Sequence, residues 1–112
     1  MSASINVVVL AGRLTRDPTL NKTATGVSVC SFSLACDRPG SNDQNGQHQT
    51  DFIDCVAWRQ SAEYLSTWAH KGDMIGVEGS IRKRSYQKDD QTIWVTEVHA
   101  GSVSIVSHKQ NG

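Results

Sequence analysis

Apolar and polar positions alternate with period 2 along most of the chain, which predicts strands. Ile5 to Leu14 is rich in valine and isoleucine and broken by Gly12, which inside a strand marks a bulge or a sharp bend. Asp17-Pro18 ends this strand, and Lys22 to Gly26 reads as a turn. From Val27 to Cys36, the apolar Cys30, Phe32, Leu34 and Cys36 alternate with Ser31, Ser33 and Ala35. Asp37 to Thr50 holds Pro39, Gly40 and Gly46 among polar residues and predicts a long hairpin loop with Arg38 at its base. Asp51 to Arg59 is a third strand, with Ile53, Cys55 and Ala57 on one face and Phe52, Asp54, Val56 and Trp58 on the other. The period then changes. Gln60 to Lys71 predicts the single helix, with Ser61 as cap, Leu65, Trp68 and Ala69 at helical spacing, and Gly72 as terminator. Tyr64 and Trp68 are read as packing residues of that helix. Met74 to Tyr86 is the fourth strand, Gln87 to Thr92 a turn, and Ile93 to Val106 a returning strand with Trp94 near its start.

This order is all-β, with one helix between strands 3 and 4. It is the connectivity of the five-stranded Greek-key oligonucleotide-binding (OB-fold) barrel, whose helix plugs one end. A closed barrel has one core face, and small Cys55 and Ala57 suit a tight interior. Phe52 and Trp58 are therefore read as outward-facing; the opposite assignment would put both in the core. In the fourth strand Ile75, Val77, Gly79 and Ile81 fall on the core side, while Ser80, Arg82, Arg84 and Tyr86 fall outside. Evenly spaced arginines beside an aromatic supply cations for phosphates and a flat surface for bases, as a single-stranded nucleic acid needs. The same pattern also describes an edge strand kept soluble by charge. Lys83 opposes this face and stays undecided.

A chain of 112 residues is one domain with room for its own core. Its 11 basic and 11 acidic residues cancel, so positive charge for a polyanion has to be local. No apolar run approaches the ~20 residues of a membrane span, and no basic region precedes a signal core at the N-terminus. Cys30, Cys36 and Cys55 lie in apolar runs, which predicts reduced, buried thiols; their spacing offers no zinc set, so neither metal nor cofactor is expected. Enzyme chemistry is not expected either. Asp51 and Asp54 fall on opposite faces of one strand, the four histidines are scattered, with His48 in the loop and His108 in the tail read as solvated, and no glycine-rich phosphate loop is present.

Several separate blocks then point to one family. Ile5 to Pro18, Asp51 to Trp58, Lys71-Gly72-Asp73, Val77 to Arg84 and Thr96-Glu97-Val98 resemble, in order and in register, bacterial single-stranded DNA-binding proteins. The resemblance runs from about Ile5 to Val106. It implies an OB-fold domain over 1–106, a homotetramer, and sequence-independent binding of single-stranded DNA without catalysis. The setting implied is replication, recombination, repair or DNA uptake, in the cytoplasm at the nucleoid. Phe52, Trp58 and Tyr86 match positions that stack bases, and Arg82 and Arg84 match backbone-contacting cations. Arg13, Arg38 and Arg59 are further cations for phosphates. Trp94 matches an aromatic position in the last hairpin, and the strand pattern leaves open whether it faces DNA or core.

Two departures stand out. The loop aromatic expected near Pro39 and Gly40 is missing. Residues 107–112 read as a short tail without the acidic tip that recruits repair proteins in replicative members, so such recruitment is in doubt. A short paralogue of the kind associated with natural transformation, a phage or plasmid copy, or a longer protein cut to its domain would each look this way. The alternative function is an OB-fold protein-interaction module, primosome-like, with weak nucleic-acid binding; an RNA-binding OB domain is a third.

Overall fold

Alternation of the kind just described buries one face of each strand only if the sheet curls on itself, and it does. The computed structural model describes residues 4–42 and 48–110, with the backbone alone at 41, 42 and 48. The strands are β1 (Val8–Leu14), β2 (Thr19–Lys22), β3 (Ser28–Asn42), β4 (His48–Trp58), β5 (Met74–Lys88) and β6 (Gln91–Ser107). The one helix among the described residues, α1 (Arg59–Trp68), lies between β4 and β5. The sheet order is β1-β5-β6-β4-β3-β2, and β1 pairs β3 as well, which closes a five-stranded barrel with β2 lying outside the ring. β4 and β6 run parallel and the other pairs antiparallel, as an OB-fold barrel requires.

The core is built from the predicted inward faces. Leu14, Cys30, Phe32, Leu34, Cys55, Ala57, Ile75, Val77 and Val98 fill the barrel, and Ala62 and Leu65 of α1, with Ala69 just after it, close one end. Burying Leu65 fully contributes about 1.5–3 kcal/mol. Gly12 stands where β1 passes from β5 to β3. A Cβ there would lie 2.8 Å from Cys36 Sγ and 2.9 Å from the Ala35 carbonyl, so only glycine lets the ring close this tightly. Burial pushes the Cys55 thiol up to about 12, and all three cysteines are free.

Six expectations need correcting. Thr19–Lys22 is a strand, paired with Ser28–Ser31; its four exposed residues carry no alternation that could announce it. It makes the helix follow the fourth strand rather than the third. The region 37–50 is mostly ladder rather than loop, because β3 runs to Asn42 and β4 starts at His48, with residues 43–47, Gly46 included, outside the described residues. A shift of register between Asp37 and Asn42 absorbs Pro39 and Gly40, and Thr50 donates to Asp37 across the pair. The turn after β5 is likewise only Asp89-Asp90, both left-handed (φ 52° and 63°), a two-residue hairpin that matches strand twist. Ser61 does not cap α1. Arg59 takes a left-handed φ of 56°, which turns β4 into the helix with no intervening loop and leaves no side-chain cap. The helix ends at Trp68, before Gly72, and Trp68 is exposed, because Leu65 and Ala69 already fill the helix footprint. Tyr64 does dock, its hydroxyl accepting from the Ile105 amide at 3.1 Å. His108, finally, is not simply solvated. Its Nδ1 lies 3.0 Å from Asp73, a buried carboxylate that also accepts from the His70 and Lys109 amides. A buried carboxylate needs such partners.

Candidate nucleic-acid interface

The outer face of the barrel follows from strand register. On β4 it carries Phe52, Asp54, Val56 and Trp58. Beside them on β3 stand Ala35, Ser33, Ser31 and Val29, the direct partners of those four residues. On the other flank Val56 pairs with His99 of β6, which in turn faces Ser80 of β5. Arg82 faces Glu97, Arg84 faces Val95, and Tyr86 faces Ile93 on the same side. Rings on β4 and β5 thus flank β6, with the small β3 residues on the other side of β4. Phe52 is 68% exposed, Tyr86 44% and Trp58 38%.

Between these strands lies a depression of about 200 Å³ lined by Arg16, Ser31, Ser33, Asp54, Arg84 and Glu97, among others. Glu97 is its buried anchor, 7% exposed. One oxygen, Oε1, accepts from Arg84 Nε at 2.9 Å and lies 3.0 Å from His99 Nε2. Burial pushes the Glu97 carboxyl up, but Arg84 and His99 outweigh it and hold the group below its ordinary 4.5. The His99 ring in turn lies 6.2 Å from the Trp58 ring, tilted by 37°. Arg84 is thereby held by one nitrogen, and its terminal nitrogens have no partner among the described residues.

Because the folded-state value is lowered, the stability Glu97 contributes is complete above 4.5 and is lost as pH falls through the folded value. Glu97→Gln is expected to melt about 3–6 °C lower at neutral pH, for a loss near 1 kcal/mol after allowing for the half-exposed Arg84, with the gap closing in acid. Thermal melting across pH checks it; a gap of constant size would remove the carboxylate charge from the account.

The other predicted site residues are distributed unevenly. Arg82 is exposed on the same face, its Nε 3.5 Å from Ser80 Oγ. Arg59 follows Trp58 and lines, with it and Lys22, an open depression of about 560 Å³. Arg38 is committed elsewhere: Nε and Nη2 each reach Asp51 at 2.9 Å and Nη1 reaches Gln49 at 3.0 Å. That bidentate grip holds the Asp51 carboxyl below its ordinary value and lies on the side opposite Phe52. Arg13 donates to the Gly72 carbonyl at 2.9 Å; it faces Ala35, itself the partner of Phe52, on the same outer side. Trp94 is not core, being 67% exposed, and it faces Ser85 on the side of β5–β6 away from Tyr86. Ile81 was assigned to the core side but is exposed, because the β5–β6 arm leaves the barrel at that point. Arg16 and the Glu97–His99 pair were missed. Arg16 lies beyond β1 where no alternation assigns a face, and a histidine beside a glutamate two positions away shows its sharing of one oxygen only in three dimensions.

The single-strand binding protein family model matches residues 5–106. A "Single-stranded DNA-binding protein" of Oceanobacillus iheyensis is 49% identical over 106 residues, covering 94% of this chain and 65% of that protein. "Single-stranded DNA-binding protein 1" of Streptococcus pyogenes is 47% identical over 108 residues, covering 96% and 82%. "Single-stranded DNA-binding protein A" of Bacillus subtilis is 43% identical over 109 residues, covering 96% and 63%. The chain thus spans about two thirds of the length of most of the relatives it matches.

Proposed function

The chain belongs to the single-strand binding protein family, and we propose that it binds and protects single-stranded DNA without reading its sequence. The observation that carries this is the outer face, where exposed Phe52, Trp58 and Tyr86 share one side of the sheet with Arg84 and with the β3 serines Ser31 and Ser33. Bases stack on the three rings, which is sequence-tolerant because every base has a π-face. Arg82, Arg84, Arg59 and Arg16 take phosphates. Arg38 and Arg13 contribute less, each already holding a protein partner. The family description and the relatives' names are those of binders, and no catalytic step is assigned. No helix among the described residues is long and apolar enough to cross a membrane. The binding domain proposed is 1–106, and it acts at the nucleoid in replication, recombination, repair or DNA uptake.

A homotetramer is the assembly proposed. Ile5 and Val7, just before β1, and Val9 on it form an exposed apolar stripe, the kind of surface a second copy covers. Sedimentation at micromolar concentration is expected to give about four times the chain mass; a monomer would remove the tetramer.

The function is tested by titrating oligo-dT at several salt concentrations. With about three to five phosphates neutralised, the slope of log K against log salt is expected near −2 to −3.5. Micromolar or weaker, salt-insensitive binding would instead favour a protein-interaction module.

A further inference from the structure

Beyond the barrel, β5 and β6 continue as a two-stranded arm with two faces. One carries Arg82, Arg84 and Tyr86. The other carries Ile81, Lys83 and Ser85 of β5, opposite Val98, Thr96 and Trp94 of β6. Trp94 is the most exposed aromatic on the arm, and Lys83 has no partner among the described residues. This second face holds no carboxylate; Glu97 points to the other side, and Asp89 and Asp90 sit in the turn at the tip.

The two faces are connected. A depression of about 250 Å³ is lined by Phe52, Ile53, Asp54, Ile81, Thr96, Glu97 and Val98, so it starts at an outer-face ring, passes two carboxylates, of which Glu97 is already paired with Arg84, and opens onto the second face. We infer that the single strand turns at Phe52 and continues along this second face, where Trp94 stacks a base and Lys83 takes a phosphate. The inference rests on the single-stranded DNA reading. It repeats the chemistry of Tyr86 with Arg84: a ring and a cation among hydroxyl side chains, on a face that, once past Asp54 and Glu97 in the depression, carries no acid to repel the backbone. A second copy of the chain fits this face poorly, since Lys83, Ser85, Thr92 and Thr96 surround Trp94 with polar groups. The apolar stripe on β1 is the surface suited to a copy.

The experiment is fluorescence anisotropy with end-labelled oligo-dT of two lengths, about 8 and about 30 nucleotides, since one OB fold covers about 4–16. Trp94→Ala is expected to bind the short oligomer within about twofold of the unmodified chain and the long one about tenfold more weakly. Trp94→Phe should restore most of that loss. Lys83→Gln should make the salt slope about 0.7 shallower for the long oligomer only. The inference is overturned if Trp94→Ala leaves both lengths unchanged, weakens both equally, or changes the sedimentation of the free protein. If the unmodified chain binds neither oligomer, the function itself falls; if it binds both and Trp94 does not discriminate them, only the second face falls.

Discussion

Alanine at Phe52, Trp58 and Tyr86 together is expected to lower affinity for oligo-dT by at least about a hundredfold. Each ring that stacks a base is worth about 1–3 kcal/mol by truncation, so three give roughly 3–9 kcal/mol if they act independently. Independence is reasonable for Phe52 and Tyr86, which lie on different strands and share no partner. Trp58 differs, because its ring also meets His99, which shares Glu97 with Arg84. Its removal should loosen the arginine as well as the stack, so the Trp58 single variant is expected to show a reduced salt slope that Phe52→Ala does not. Anisotropy measures the loss. Melting of the free triple variant separates it from unfolding, and because none of the three rings belongs to the core the barrel should survive. An affinity within about threefold of the unmodified chain, with the fold intact, would end the stacking assignment.

A chain with no net charge can hold a polyanion only where its cations are uncommitted, and the structure sorts them. Arg38 and Arg13 look like binding cations in sequence, yet each already donates to protein oxygen. Arg84 is tethered through Nε alone, which orients its guanidinium while leaving most of its donors for a phosphate. The carboxylate on the interface therefore positions a cation rather than merely opposing the ligand.

What could be read in advance was whatever strand periodicity governs. The alternation in 51–59 separated Cys55 and Ala57 from Phe52 and Trp58, and the structure has the first pair buried and the second exposed. Periodicity stops informing where a strand leaves the core. From Ile81 onward both faces of β5 meet water, so Ile81 is exposed despite its parity, and Trp94 opposite Ser85 has no core to face. Composition misled over 37–50, where turn-forming residues sit in a ladder held by cross-strand pairs such as Arg38–Asp51. Contacts of that kind depend on register, and no single segment encodes register.

Register is also why Gly79→Ala should be the most damaging small substitution in the barrel. Glu78 pairs with Ser102 but Gly79 pairs with Ala100, so Gly101 is an extra residue bulged out of β6. The bulge brings the β6 backbone against β5 there. A Cβ on Gly79 would overlap the His99 carbonyl oxygen and sit 3.0 Å from Ala100 Cα. These are main-chain atoms, which cannot rotate aside as a side chain could. Relief requires parting β5 from β6 beside Val77 and Val98 of the core, and a cost of about 3 kcal/mol or more is expected. That is a large share of the 5–15 kcal/mol that holds a domain together. The same strain falls on His99 and Glu97, so whatever folds should also present Arg84 less well and bind oligo-dT more weakly. Gly101→Ala is the control, because its Cβ would meet only the Glu78 carbonyl, at an ordinary 3.4 Å, and should shift stability by less than about 0.5 kcal/mol. Denaturant midpoints for the two variants decide it: equal midpoints would mean that the bulge yields easily and that the close approach at Gly79 does not hold the β5–β6 register.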